Sequence, residues 1–409
     1  MARDDLVVGL DIGTTKIAAL VAELNENDGF KIVGFGTHPS EGLRKGVVVN
    51  LEKTVSSIMG AVQDAELMVG KKIESVYAGI AGDHIKSINS RGVIAVRGSD
   101  SEISPVDVDR VIDAARAVAI PLDREIIHVL PQEFTVNDQS GIKDPVGMSG
   151  VRLEADVHIV TGAIISAQNI YKSIRRAGLE VKDLVLEPLA SSYTLLSPEE
   201  EELGVLLIDL GGGTTDIALF HDGSLRHTAV IGLGGKNITN DIAIGLRTPV
   251  DQAEEIKKNY GCALTRLVDP NEMIQVPAIG GRKPKEISRS VLATIIEPRV
   301  EEIYSLVLKE IKRTEFADCL SAGIVLTGGG SLMEGMVELA EQVFDMPTKV
   351  GSPKGLAGLS DIISNPMHST GVGLVLWGFK NPDQKRSDKE KSFVKRTIFR
   401  MKNWFGEYF

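Results

Sequence analysis

Cysteine is scarce: Cys262 and Cys319 are the two in a chain of 409 residues. Two thiols cannot build a disulfide framework or a cysteine-rich zinc site, and reduced packing cysteines suit a cytoplasmic protein. Histidine is thin too, with seven residues and no HxxxH or HExxH spacing, so a histidine metal site is not expected. No uncharged apolar run reaches the ~18 residues of a membrane-spanning helix. Met1-Ala2-Arg3-Asp4-Asp5 carries acid where a signal peptide needs a positive flank. A surplus of positive charge is also missing, with 45 Lys and Arg against 56 Asp and Glu, a net of −11. That balance argues against a nucleic-acid partner, because such binding relies on neutralising phosphates. The expectation is an intracellular protein that does not cross a membrane.

Glycine, in contrast, is plentiful at 42 residues, many beside predicted strand ends. Residues 6–10, 17–21, 31–36 and 76–82 read as strands, and 51–69 repeats apolar residues at helical spacing. Residues 83–162 look like a separate small module. Two β-rich patches, 85–96 and 125–136, flank a helix that starts with Ser104 as N-cap and Pro105 at the first helical position. A last strand covers 151–160. Helix 166–178, strand 181–186 and a small-residue helix at Pro188 lead into a strand–loop–strand unit at 204–220. The stretch 236–312 is mainly helical by pattern, with an irregular loop around 269–286. Strand 323–327 and helix 332–344 follow, and alternating strands and helices imply an α/β fold. At about 150 residues per domain, the length fits two or three units.

The chain repeats itself. Asp11-Ile12-Gly13-Thr14-Thr15-Lys16-Ile17-Ala18 matches Asp209-Leu210-Gly211-Gly212-Gly213-Thr214-Thr215-Asp216-Ile217-Ala218 if a two-residue gap is allowed. Each copy lies between apolar runs, so each reads as a hairpin turn lined with glycine and hydroxyls. Glycine lets backbone N–H groups converge on an anion, threonines add hydroxyl donors, and Lys16 adds a point charge suited to phosphate oxygens. Asp11 and Asp209, at strand ends, suit Mg²⁺ held through water. One such turn is an ordinary tight hairpin; two facing each other would clamp a triphosphate. No GxxxxGK[ST] occurs, and no GxGxxG joins a strand to a helix, so neither a P-loop nor a Rossmann unit is supported.

At these residues the sequence resembles the actin/Hsp70/hexokinase superfamily of ATP-binding proteins. Asp11–Lys16 resembles its first phosphate loop, Asp209–Asp216 its second, and Val325–Ser331, with Gly328, Gly329 and Gly330, its adenosine motif. Gly234 and Gly235 resemble the glycine pair before the second half's small subdomain. Glu254 and Lys257 resemble the ribose and adenine contacts of bacterial actins, although an exposed i,i+3 salt bridge is the simpler explanation of that spacing. Lys236 stands where relatives often have an acid. Glu187–Ala190 and Thr370–Gly373 resemble the two connecting helices. The resemblance implies ATP and Mg²⁺ as cofactors. Hydrolysis, at most slow, needs a residue that orients water; Glu187 is the first candidate and Asp209 the second, while Glu187 also reads as a plain helix start.

The position of module 83–162, the wording of Pro131-Gln132-Glu133-Phe134 and of Asp156–Gly162, and the tail narrow this to a resemblance to the FtsA family of bacterial division proteins. It implies an actin-like ATPase fold of two related halves around an ATP cleft. The first-half core takes residues 1–82, 163–192 and 366–379, interrupted by a small α+β subdomain at 83–162. The second-half core takes 193–228 and 305–365, with its small subdomain at 229–304. A linker at 380–392 and an amphipathic helix at 393–409 complete the chain. Implied partners are the FtsZ C-terminal tail, further copies of the chain in actin-like filaments, and other division proteins through 83–162. The implied place is the cytoplasmic side of the inner membrane at the septum. Arg282, Lys283, Lys285, Arg289 and Arg299 offer charge to an acidic FtsZ tail, and solvated surface explains them as well. A pilus-assembly adaptor of the same fold and a small-molecule kinase are the rival readings.

The tail stands on its own argument. Six of the 19 aromatic residues fall in the last 18 positions. On a wheel of ~100° per residue, Phe393, Val394, Ile398, Met401, Trp404, Phe405, Tyr408 and Phe409 share one face. Lys395, Arg396, Arg400 and Lys402 take the other, the design of a helix lying on anionic lipid. From residue 380 onward the net charge is +5, while the body carries −16.

Overall fold

The computed structural model describes residues 6–24, 30–97, 102–278, 283–354 and 357–381. The expected linker from 382 onward, the helix at 393–409 and Arg282 lie outside the described residues. The chain opens with three antiparallel strands, β1 (Val7–Ile12), β2 (Lys16–Leu24) and β3 (Phe30–Pro39). A small hairpin, β4 (Leu43–Arg44) and β5 (Val47–Val48), turns at Lys45 and Gly46, both at positive φ. The Asn50 side chain accepts from Lys53 N–H to start α1 (Leu51–Val69), and Gly70, left-handed, ends it. Val55, Ile58, Ala61, Val62 and Ala65 form its buried face, and β6 (Ser75–Ile80) returns parallel to β1.

A second sheet follows, built from β7 (Lys86–Ala95), β8 (Arg124–Val136), β9 (Gln139–Ile142) and β10 (Arg152–Ala163), in the order β7-β10-β8-β9. α2 (Pro105–Arg116), lying between β7 and β8 in sequence, packs on it. Ser104 caps α2 in a reciprocal capping box with Asp107, as the sequence predicts. Ile103, Val108, Val111, Ile112, Phe134, Leu153 and Val157 give this unit a core of its own.

The chain rejoins the first sheet through α3 (Ile164–Arg176) and β11 (Glu180–Leu186), then enters α4 (Glu187–Leu195) and the short α5 (Pro198–Leu203). A third sheet begins with β12 (Val205–Leu210), β13 (Thr215–His221) and β14 (Ser224–Ile231). Helices α6 (Gly235–Leu246) and α7 (Val250–Tyr260) come next. The stretch read as irregular holds a hairpin instead, β15 (Met273–Val276) paired with β16 (Lys285–Ser288). Its alternation is too short to register as a period, yet Ile274 and Val276 are buried on one face. The long α8 (Arg289–Ile311), β17 (Gly323–Thr327), α9 (Met336–Phe344), β18 (Thr348–Val350), α10 (Ser360–Ile363) and α11 (Ser369–Lys380) complete the fold.

The first sheet runs β3-β2-β1-β6-β11 and the third runs β14-β13-β12-β17-β18. In each, three antiparallel strands are extended by two parallel ones, so the halves share one topology. The third sheet is apolar on both faces. Leu206 and Ile208 point to the helices of the second half, while Val205 and Leu207 join the core shared with the first half. α4 and α11 pack together between the halves, and Ser191 Oγ meets Thr370 Oγ1 at 3.0 Å. Trp377, buried on α11, donates to Asp183 Oδ2 at 2.9 Å.

Candidate functional site

Strand register sets the site. Asp11 pairs with Ala18 and Ile12 with Ile17 in the first hairpin; Asp209 pairs with Asp216 and Leu210 with Thr215 in the second. Each turn therefore has four residues, 13–16 and 211–214, and the two superpose without a gap. The two-residue gap allowed from the sequence is wrong. It aligned Thr14 and Thr15 with Thr214 and Thr215, whereas register places them opposite Gly212 and Gly213, and Lys16 opposite Thr214.

The two turns interlock. A Cβ on Gly213 would lie 2.6 Å from Thr14 Oγ1, and one on Gly212 would overlap the Thr15 hydroxyl. Residue 14 meets the counterpart of 15, and 15 meets the counterpart of 14, the reciprocity of a two-fold contact. The first turn brings side chains and the second makes room for them. Lys236 Nζ, at the start of α6, donates to Thr14 O at 2.9 Å, tying the second half to the first turn.

Around the turns lies a cluster of charge. Asp11 and Asp216 are buried. Asp209 Oδ2 accepts from Thr370 at 3.4 Å and from Ser191 at 3.5 Å, one hydroxyl from each connecting helix. Glu187 opens α4 against Gly79. Burial raises all four carboxyls: Asp11 upward, opposed by Lys16; Asp209 to about 6, helped by Asp11; Asp216 to about 8, helped by Asp209; and Glu187 well above the carboxylate range, helped by Asp11, Asp216 and Asp209. Lys16 is drawn down by burial and held up by Asp11 and Asp209. Its Nζ donates to Met367 O at 2.5 Å and lies 3.0 Å from His368 Nδ1. His368 is pushed to about 3, by burial and then by Lys16, so the neutral ring faces the lysine as an acceptor.

The remaining expected site residues lie on α6, α7 and the turn after β17. Gly234 N–H donates to Asn237 Oδ1 at the start of α6, and Gly235 lies against Lys257. Glu254 and Lys257 are not a loose surface pair. Lys257 Nζ donates to Glu254 at 2.7 Å, to Thr239 Oγ1 at 2.9 Å and to Gly235 O at 3.1 Å, and both side chains are mostly covered. Burial alone would raise Glu254; hydrogen bonds from Lys257 and Thr239 outweigh it and hold this carboxyl below its ordinary range. Gly328, at φ 81°, sits against Asp209 and Leu210, with Gly329 and Gly330 following in a 3-10 turn.

The structure thus brings the expected loop, glycine and Glu254–Lys257 residues to one region. It adds Asp216, Ser191, Thr370, His368 and Thr239, which were not singled out as site residues. Asp216 had a signal: on a hairpin it must pair directly with Asp209. Among the described residues, no three His, Cys, Asp or Glu side chains are arranged to ligate a metal directly. Asp216 Oδ1, however, is buried without a hydrogen-bond partner. That orphaned oxygen beside Asp11 and Asp209 fits a hydrated Mg²⁺, which prefers water and one or two carboxylates to an all-protein cage and whose charge would favour the ionised form of Asp216.

Comparison with known proteins gives the family. A family profile described as cell division protein FtsA matches residues 206–373, and one for the SHS2 domain inserted in FtsA matches 82–161. Cell division protein FtsA of Pseudomonas aeruginosa is 54% identical over 94% of this chain and 90% of its own. That of Neisseria meningitidis is 45% identical over 98% of each. Among solved structures, a PilM–PilN type IV pilus biogenesis complex covers 91% of this chain and 98% of that one, with a TM-score of 0.66 and 17% identity. MreB5 of Spiroplasma citri bound to ADP covers 93% and 98%, with a TM-score of 0.55 and 17% identity. These last two share the actin-like fold, and the far greater identity to the first two decides the relationship. The chain belongs to the FtsA family of cell division proteins.

Proposed function

We propose that this protein is an ATP-binding, actin-like adaptor that self-associates on the cytoplasmic face of the inner membrane and tethers FtsZ filaments at the division site. The observation that carries the nucleotide reading is the interlock of the two hairpins, with Lys16 held between Asp11 and Asp209. Backbone N–H groups of both turns and the hydroxyls of Thr14 and Thr15 offer donors to phosphate oxygens, whereas Thr214 and Thr215 donate to Asp216 Oδ2 and Leu233 O and shape the second turn. Lys16 and Lys236 supply positive charge from opposite halves. Asp11 and Asp209 would hold a hydrated magnesium ion, whose charge would offset that of the phosphates. Glu187 is our candidate for orienting a water, with Asp209 second. Gly234, Gly235, Glu254, Lys257 and Gly328–Gly330 frame the nucleoside.

We extend the reading to the domain boundaries stated above and to the tail. Each basic residue near an anionic leaflet contributes about 1 kcal/mol. Ordering the helix costs about 1–2 kcal/mol per residue in backbone entropy, so one tail binds weakly and many tails on one polymer bind strongly. Among the described residues no helix is long and apolar enough to cross a membrane, which is compatible with peripheral attachment. Titration with a fluorescent ATP analogue tests the cleft: Mg²⁺-dependent binding lost in Lys16→Met supports it, and no binding overturns it. Pelleting with anionic liposomes and FtsZ tail peptide tests the adaptor. Deletion of 393–409 is expected to abolish liposome pelleting while peptide binding persists. Unchanged pelleting would sink the anchor.

A further inference from the structure

The module made of β7, α2, β8, β9 and β10 is inserted in the first half, yet it is bonded to β14, the edge strand of the second-half sheet. Carbonyls that an edge strand would leave open accept from module side chains. Leu225 O accepts from Gln132 Nε2 at 2.8 Å, Arg226 O from Asn89 Nδ2 at 3.3 Å, and Thr228 O from Ser87 Oγ at 2.8 Å. His158 fixes the direction of the rest. Because the Asn89 amide nitrogen donates to Arg226, its oxygen is an acceptor and takes the proton of His158 Nδ1 at 2.7 Å. Nε2 then accepts from Thr228 Oγ1 at 3.0 Å. This chain of bonds leaves β14 at Thr228 and returns to it at Arg226. Further along, Ser224 Oγ donates to Gln132 O at 2.9 Å, and Lys143 Nζ donates to Ser224 Oγ at 3.0 Å and to Asp222 O.

The far end of the same strand meets the nucleotide loops. Ile231 pairs with Thr215, and Gly232 lies against the Lys45 ammonium group. Gly46 N–H, next to Lys45, donates to Thr14 Oγ1 at 3.1 Å. A Cβ on Gly46 would lie 2.6 Å from Ala81 O, so the β4–β5 tip is wedged where the chain enters the module. β14 therefore spans from the phosphate turns to the module as one rigid element. Rotation of the halves about α4 and α11 must move it, together with the second turn, against the first turn and the module.

We propose that the seam of Ser87, Asn89, Gln132 and His158 on β14 is a nucleotide-responsive latch, docking the module when the cleft is closed and releasing it when the cleft opens. The inference rests on the nucleotide reading above and adds what nucleotide controls: the orientation of the inserted module, and so access to any partner that binds it. By linkage, a partner that prefers the released module lowers nucleotide affinity by the same factor.

The test is amide hydrogen exchange on the full chain, with and without Mg²⁺ and a non-hydrolysable ATP analogue, with binding followed separately by fluorescence. Nucleotide is expected to slow exchange about tenfold in residues 86–90 and 126–133 together with 224–231, the scale of one or two hydrogen bonds. Thr228→Val removes the hydroxyl that His158 accepts from. It is expected to cut the nucleotide effect in the module about fivefold while leaving nucleotide affinity within about threefold. Ser87→Ala, half-exposed and mild, repeats the test with a smaller loss if Thr228→Val does not fold. Nucleotide bound with module exchange unchanged overturns the latch alone. No nucleotide bound overturns the cleft reading and the latch with it.

Discussion

The two hairpins at the centre of the molecule share register, turn length and an aspartate at the end of the first strand, yet they divide the chemistry unequally. The first turn, Gly13-Thr14-Thr15-Lys16, carries bulk, hydroxyls and a cation. The second, Gly211-Gly212-Gly213-Thr214, carries almost no side chain, and its following strand adds a second acid, Asp216, where the first has Ala18. A two-fold contact of two threonine-filled turns would clash, and one of two glycine turns would leave a void. The asymmetry lets the halves close tightly, with Lys16 on the first turn and the extra acid, Asp216, on the second hairpin.

The strongest way to break this comparison is to give the second turn what the first has. Gly212→Ala places a methyl on the Thr15 hydroxyl and is expected to weaken nucleotide binding about 100-fold, at the upper end of overpacking costs. Titration checks this, and adding Thr15→Gly should restore most of the affinity. Failure to restore it would mean that the turns do not interlock as described. Removing the cation comes next. Lys16→Met leaves Asp11 and Asp209 facing each other without it, with an expected loss of about 30-fold in Mg²⁺-dependent affinity, on the scale of a charge-assisted bond.

The third prediction concerns pH. Asp216 and Asp209 titrate at about 8 and about 6 when folded, above the ordinary 3.8. Between the unfolded and folded values the native state holds more protons than the unfolded state, so stability falls as pH rises. Without nucleotide, thermal stability should decline from pH 4 toward pH 8. Asp216→Asn should flatten the decline, and Mg²⁺ with nucleotide should reverse it. A stability that instead rises steadily over that window in the nucleotide-free protein would contradict the buried cluster. The smallest effect is expected from Thr14→Val, which removes the acceptor for Gly46 N–H at a cost of about 1 kcal/mol, lowering Tm by about 2 °C.

Much of this was legible along the chain. The Ser104–Asp107 capping box, the span of α1, the phosphate-loop wording and the apolar strands all rest on neighbours within a few residues. The β15–β16 hairpin was not legible, because four-residue arms, with two buried positions in β15 and none in β16, are below what periodicity resolves. The gap between the repeats was misread because composition favoured matching threonine to threonine, while pairing of Asp209 with Asp216 and Asp11 with Ala18 forbids it. Glu254 and Lys257 had a spacing that an exposed pair explains more simply; only packing against Gly235 and Thr239 overturns that explanation.

The sequence by itself determined the elements, the two phosphate-type turns and the division of charge between an acidic body and a basic, aromatic end. Those properties depend on local propensity and on counts, which need no partner across the fold. The tertiary structure decided which residues face each other: Thr14 with Gly213, Thr15 with Gly212, Lys236 with Thr14, and His158 with Thr228. The residues of each pair lie about 70 to 220 positions apart, and what joins them is the packing of one half on the other, a contact that no local pattern encodes.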